Sequence, residues 1–273
     1  MEQRTIWNNR SNKSNDKADR MRLREYAEKS GAVLLALLFW QLAAVLIDSQ
    51  ILIAGPADVL RRFFKIVCED DFFNIIAFTF GRIAAGYLTA VLTGMLLAFA
   101  ADRSRAVEIL MRPWVISIRA IPVASMVVIL LILVSSRNLS VIIVFLVVFP
   151  VVYTNILSGL KASSRELAEM AAVFGIGGRC RLRYIIMPQL KSYIVSACGV
   201  TAGMAWKAGA AAEVIGTPPL SVGKMIYQSK TWLDTESLFA WTLVLVVLSM
   251  IFERVFIYLL KTVLYGRNGG RNA

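Results

Sequence analysis

The sequence contains no histidine among its 273 residues. This absence excludes the HExxH zinc enzymes, whose metal ligands are histidines, and the Ser-His-Asp triad, whose general base is a histidine. Cysteine is also scarce, because Cys68, Cys180 and Cys198 are the only three and they form no CxxC pair. We therefore predict neither a disulfide framework nor a metal site, and we expect no cofactor.

A phosphate-binding loop is missing as well. The nearest approach is GTPPLSVGKM, residues 216–225, in which six residues rather than four separate the glycines and Met225 replaces the required Ser or Thr. The chain itself should therefore not hydrolyse ATP. A membrane enzyme would have to rely on carboxylates such as Glu213 and Glu253, and nothing in the sequence pairs them.

Charged residues are few and apolar residues are abundant. Only 18% of the residues are charged and 58% are hydrophobic, and the mean hydropathy is +0.64. Such a chain is too apolar for a soluble domain of this length, so we predict an all-α polytopic protein of the cell membrane. In such a protein a net charge of +12 indicates a cytoplasmic face in contact with anionic membrane lipid. No base-reading motif is present, and we expect no nucleic-acid partner.

Six apolar runs are long enough to cross a membrane as helices. The predicted transmembrane helices are 31–47, 75–100, 114–134, 139–157, 193–215 and 238–260. No small-residue cleavage site follows the first run, so we expect that helix to be retained. We divide the chain into a polar, basic cytoplasmic tail (1–29), a membrane domain (30–262) and a cytoplasmic C-terminal tail (263–273).

The distribution of basic residues predicts the orientation. With both termini in the cytoplasm, twenty Lys and Arg residues fall inside and six fall outside, as the positive-inside rule requires. On the outer side we expect an amphipathic helix at 59–67. A loop that contains Pro218, Pro219 and Gly223 is also expected outside, where it could meet a solute-binding protein or be a plain surface loop.

A polar and basic segment, residues 163–188, separates two apolar runs. Ser163 and Glu166 have the spacing of a capping box, which predicts the start of a short helix. The glycines near position 175 predict an elbow, and a second short helix should follow until Pro188 ends it. Seen alone, such a segment could be an ordinary basic loop beside the membrane.

The same segment resembles the EAA signature of ABC importer permeases. The matching positions are Glu169, Ala171, Gly175, Ile185 and Pro188, while Met170 and Met187 depart from the pattern and remain apolar. The resemblance implies that residues 163–188 form a coupling loop that enters a cleft on a cytoplasmic ABC ATP-binding subunit. It also implies an extracytoplasmic solute-binding protein and a second permease copy, either identical or similar.

Two further stretches resemble permeases for nitrate, sulfonates and taurine. The first is RAIP, Arg119 to Pro122, which implies a bent helix beside the translocation pathway; the alternative is an arginine that extends towards the cytoplasmic interface. The second is GMAWKAGAAAEVIG, which contains Lys207 and Glu213. Lys207 shares a helical face with small residues and should point into the bundle as a pathway charge; alternatively, it forms a structural ion pair with a carboxylate such as Glu213.

Small residues also predict helix packing. Gly86, Ala90, Gly94 and Ala98 recur at four-residue intervals, with Arg82 on the same line one turn earlier. We interpret this stripe as a packing seam that includes an interfacial arginine. Gly199 and Gly203 repeat the same spacing in the fifth predicted helix.

The sequence thus favours the membrane subunit of an ATP-driven importer that works by alternating access. An ion-coupled secondary transporter is the alternative, and it predicts buried acidic residues and an inverted repeat. An intramembrane enzyme is disfavoured, because the sequence contains no catalytic set of residues. A small anion such as a sulfonate or nitrate would suit Arg119 and Lys207, but similar permeases carry other small organic solutes, so the substrate stays open.

Overall fold

The computed structural model describes residues 28, 31–32, 34–46, 54–162, 170, 173–175 and 177–266. Within these ranges the regular elements are all helical, which confirms the all-α prediction for the described part of the chain. The chain divides into two compact units, Met1–Arg62 and Phe63–Ala273.

The first unit contains helix α1, Leu34–Leu46, and the start of α2, Pro56–Val67. Helix α1 is apolar, lies within the predicted first span and is shorter than a full membrane crossing. Pro56 begins α2, where its fixed φ angle suits the first helical turn. Helix α2 alternates apolar residues with charged ones such as Asp58 and Lys65, and the predicted amphipathic helix is confirmed.

The second unit holds the remaining helices. They are α3 (Phe72–Arg103), α4 (Arg105–Ala120), α5 (Val123–Leu133), α6 (Ser136–Lys161), α7 (Gly178–Arg181), α8 (Met187–Gly216), α9 (Val222–Thr231) and α10 (Thr235–Tyr265). A π-helical turn, Leu182–Ile186, joins α7 to α8. Helices α3, α6 and α8 form the centre of the bundle, around buried side chains such as Tyr87, Ile156 and Ile194.

Among the described residues three helices, α3, α6 and α10, are long and apolar enough to cross a membrane, and α4 with α5 makes a fourth crossing if this bent pair is one span. The predicted span 114–134 is therefore not one continuous helix, because α4 and α5 meet at an angle of 104°. The break falls at Ile121, whose backbone is extended (ψ 127°) because the following Pro122 disfavours the helical conformation of the residue before it.

Small residues bring α3 close to α6. A Cβ atom added to Gly86 would lie 2.5 Å from the carbonyl oxygen of Val141, and one added to Gly94 would lie 3.0 Å from Cγ1 of Val152. Ala90, between them, is completely buried. Glycine and alanine on this line therefore allow the two helices to pack backbone against side chain.

Two expectations about α8 need correction. Pro188 does not end a short helix: it lies in the first turn of α8, and the chain is helical from Gly178 to Gly216. A π-helical turn directly precedes α8, and such turns are one way in which membrane helices satisfy the backbone groups that a proline frees. Gly199 faces the side chain of Ile257, but a Cβ on Gly203 would meet nothing within 4 Å, so no close helix approach among the described residues requires glycine at position 203.

Candidate functional site

A buried group of polar side chains joins α3 to α8. The Glu213 side chain, near the end of α8, is completely buried. Thr79 of α3 donates a hydrogen bond from Oγ1 to Glu213 Oε2 (2.8 Å), and Arg82 Nη1 lies 3.7 Å from Glu213 Oε1. Thr79 and Arg82 are one helical turn apart, so they reach the carboxylate from the same face of α3.

The same residues hold the start of α9. Arg82 donates from Nη2 to the carbonyl oxygen of Pro219 (3.1 Å), and the amide of Val222 donates to Thr79 Oγ1 (2.9 Å). The amide of Gly223 donates to Glu213 Oε2 (3.5 Å). A Cβ on Gly223 would lie 2.6 Å from the backbone nitrogen of Val214, so only glycine fits there. We call Thr79, Arg82 and Glu213 the buried clamp.

The loop that the clamp holds has an unusual backbone. Thr217 and Leu220 adopt positive φ angles of 44° and 52°, which residues other than glycine rarely adopt. Such conformations persist where surrounding contacts determine them. Ser221 contributes by accepting a hydrogen bond from the amide of Lys224 (3.0 Å) as the N-cap of α9. The predicted outer loop is thus anchored to the bundle at its start.

This geometry gives Glu213 a partner that the sequence did not indicate, while its role in the pathway stays a prediction. The sequence makes it a candidate for the translocation pathway, with an ion pair to Lys207 as the structural alternative. The structure pairs it with Arg82 and leaves none of its side chain exposed. Sequence reasoning missed Thr79, although a hydroxyl one turn before an arginine in an apolar helix is a usable signal of a buried polar group.

Lys207 lies on a different face of α8. Its side chain is exposed, as is Ala211 one turn later, whereas Ala205 and Ala208 are buried against the bundle. Lys207 therefore points away from the described helices that pack around α8, and the expectation that it points in among them is wrong. In the part of the chain that the structure describes, no hydrogen bond or ion pair engages its ammonium group.

Arg119 and Pro122 lie at the break between α4 and α5, and both are exposed. Within the described ranges Arg119 forms no ion pair, and so it is not paired with Glu213. Beyond the break, α5 packs beside α8 through a small apolar cluster that includes Val127 and Ala212. The helix that follows RAIP thus lies next to the helix that carries Lys207.

The coupling loop is described only in part. Glu169 and Ala171 lie outside the described residues. Gly175 has a φ angle of 63°, in the left-handed region that favours glycine, and open space surrounds it. Ile185 is half-buried in the π-helical turn and Pro188 is exposed. A glycine requirement at Gly175 fits the predicted elbow, and the docking role of the loop stays a prediction.

Acidic and cysteine side chains do not assemble into a metal site within the described residues. Cys68 and Cys180 are exposed, Cys198 is buried, and all three are free thiols. Among the described residues, helices α3 and α8 therefore contain one buried ion pair, Arg82 with Glu213, and an exposed lysine, Lys207, that has no partner.

Comparison with known proteins gives a consistent family match. Residues 90–265, more than half of the chain, match the family described as binding-protein-dependent transport system inner membrane component. The chain is 22% identical over 239 residues to a Bacillus subtilis (strain 168) protein named as an aliphatic sulfonates transport permease, covering 87% of this chain and 86% of that protein.

Two further proteins are similar to this chain. An ABC transporter permease protein of Methanocaldococcus jannaschii is 23% identical over 225 residues, or 81% of this chain and 84% of its own length. One from Brucella melitensis biotype 1 is 21% identical over 206 residues, or 75% and 83% of the two chains. The similarity therefore covers most of each protein.

Proposed function

The chain belongs to the family of binding-protein-dependent transport system inner membrane components, the permeases of ABC transporters, and from this premise we propose that it imports a small anionic solute. As a member of this family it is a multi-pass protein of the cell membrane. The observation that carries the proposal is the exposed Lys207 on α8, which has no partner among the described residues. ATP hydrolysis then takes place on separate ATP-binding subunits.

A charge at this position needs an explanation. Placing a lysine in the hydrocarbon core costs about 2.5 to 3.5 kcal/mol or more, so intramembrane lysines face protein or water. Since Lys207 points away from its own bundle, a second permease copy would enclose it in a water-filled path. A fixed positive charge there attracts anions and repels cations. The Bacillus subtilis relative is named for aliphatic sulfonates, which are anions, and this supports an anionic solute.

The proposed cycle is alternating access. ATP-binding subunits close on nucleotide and move the coupling loop, 163–188, which passes the motion to the membrane helices. An extracytoplasmic solute-binding protein delivers the solute to the outer mouth of the path. Arg119 and Pro122, at the α4–α5 break, are the second candidate pathway group, because α5 packs beside α8.

Replacing Lys207 with methionine should lower ATP-dependent uptake of a short alkanesulfonate at least about tenfold, the effect of losing about 1.4 kcal/mol of anion attraction. The measurement is uptake into proteoliposomes that contain the permease, its ATP-binding subunits and its solute-binding protein. Lys207→Arg keeps the charge and should retain most of the uptake. Arg254→Met, which removes an exposed charge from α10, is the matched control and should have little effect. Equal uptake by the Lys207→Met variant and the wild-type protein would exclude Lys207 from the path.

Replacing Gly175 with valine should remove the ATP-binding subunit from the purified assembly. The left-handed φ of Gly175 costs a residue with a Cβ about 1 to 2 kcal/mol, and a β-branched side chain also fills the open contact surface. The measurement is mild-detergent purification of the tagged chain, with mass spectrometry of the proteins that accompany it. Gly178→Val is the control, because its surroundings are equally open and its φ is not left-handed.

The purification also tests the alternative. A wild-type chain that purifies without an ATP-binding subunit, and that carries solute along an ion gradient in liposomes without ATP, would be a secondary transporter. Glu213 is the kind of buried acidic residue that such a transporter uses, but Arg82 neutralises it in the structure.

A further inference from the structure

The end of α6 is tied to the first turns of α4 by an ion pair between Lys161 and Glu108. The Lys161 ammonium donates a hydrogen bond to Glu108 Oε1 across 53 positions in the sequence. Lys161 is the last residue of α6, and the coupling loop begins two residues later at position 163. The ion pair therefore lies at the base of the coupling loop.

Glu108 has other basic residues within reach of its own helix. Arg105 and Arg112 lie three residues before it and four residues after it, which are the spacings of intrahelical ion pairs. Neither forms an ion pair with Glu108 within the described ranges, and the carboxylate bonds to Lys161 of α6 instead. Arg105 and Arg112 therefore do not compete with Lys161 for the Glu108 carboxylate, and the ion pair between α4 and α6 is kept.

Helix α4 can carry a displacement from this point. Its apolar face, with Val107, Met111 and Val115, packs on the buried core that includes Tyr153 and Leu160 of α6. The far end of α4 carries Arg119 and the break, and α5 then packs on α8 through Val127 and Ala212. Contacts therefore run from the end of α6 through α4 and α5 to the part of α8 that adjoins Lys207.

We propose that Glu108 and Lys161 are positioning residues that transmit the movement of the coupling loop to α4 and from there to the transport path. The proposal rests on the importer function proposed above and adds the residues that link the coupling loop to the transport path. A partly exposed ion pair contributes little to folding, and the role proposed for this one is to keep α4 and the coupling loop in fixed register. Glu108 and Lys161 side chains are 35% and 49% exposed.

The test is the ratio of solute imported to ATP hydrolysed by the reconstituted assembly, with a short alkanesulfonate as the probe. Glu108→Lys and Lys161→Glu should each lower that ratio about threefold to tenfold, as expected for the loss of one direct coupling contact. The double charge exchange, Glu108→Lys with Lys161→Glu, should restore the ratio to within about twofold of wild type. Thermal unfolding of all three proteins should stay close to wild type, because an ion pair between a half-buried carboxylate and an exposed lysine contributes little to stability.

Arg112→Gln is the matched control. It removes a charge from the same helix without touching the ion pair, and it should leave the ratio unchanged. Single variants that keep the wild-type ratio, or a double exchange that fails to restore it, would overturn the proposal while leaving the importer function intact. A wild-type assembly with no ATP-dependent uptake would instead overturn the importer function, and the role of this ion pair with it.

Discussion

Replacing Glu213 alone with leucine is expected to destabilise the bundle by about 3 to 5 kcal/mol. The change leaves the guanidinium of Arg82 buried without its counter-charge, and Thr79 and the Gly223 amide lose their acceptor. Thermal unfolding of the purified protein in detergent measures the loss. Glu253→Leu, at an exposed position on α10, is the matched control and should cost little.

A second variant tests whether the loss of stability comes from the unpaired charge of Arg82. The double change Arg82→Met with Glu213→Leu replaces the buried pair by apolar side chains, which is often close to neutral for a buried ion pair. We therefore expect the double variant to be more stable than Glu213→Leu alone. If Glu213→Leu costs no more than Glu253→Leu, the pair does not stabilise the fold and the clamp needs another explanation.

Replacing Gly86 with alanine should destabilise the protein by about 1 to 3 kcal/mol, the usual cost of overpacking. The new Cβ would lie 2.5 Å from the carbonyl oxygen of Val141, which is backbone, so α3 and α6 must move apart. Because alanine favours a helix over glycine by about 1 kcal/mol, the steric cost has to exceed that gain. Thermal unfolding again measures the effect.

Gly81 provides the control on the same helix. A Cβ there meets nothing within 4 Å, so Gly81→Ala should gain helix propensity without a clash and be neutral or stabilising. The two changes are chemically identical and should have opposite signs. A stabilising effect at both positions would show that α3 and α6 tolerate a wider separation than the structure has.

The sequence predicted the elements that depend on local pattern. Apolar runs marked α3, α6 and α10, and the alternation of charge and apolar residues marked α2. The four-residue stripe on α3 identified the residues that face α6, because a helix repeats its face about every four positions. Pro122 indicated a bend, although its angle depends on the packing of α4 and α5 and could not be read from the sequence.

The partner of Glu213 could not be predicted from the residue pattern. Periodicity describes only the faces of one helix, and the contact of Glu213 with Thr79 joins residues 134 positions apart. The predicted direction of the Lys207 side chain was wrong for a related reason. Helix α8 has small residues on both sides, so a face with glycine and alanine did not identify the side that packs on the bundle.

The exposed ammonium of Lys207 also affects the electrical work that the proposed import of an anion requires. Moving one negative charge into a cell whose interior is negative opposes the membrane potential, at about 2.3 kcal/mol for each 100 mV. Under the proposed anion import, Lys207 would offset part of this electrical work, because Arg82 and Glu213 cancel each other and the other charge of α8, Lys191, lies near the start of the helix. A fixed charge lowers the barrier at one depth and leaves the total work unchanged. An importer of anions built on this helix therefore needs an external driving force such as ATP hydrolysis.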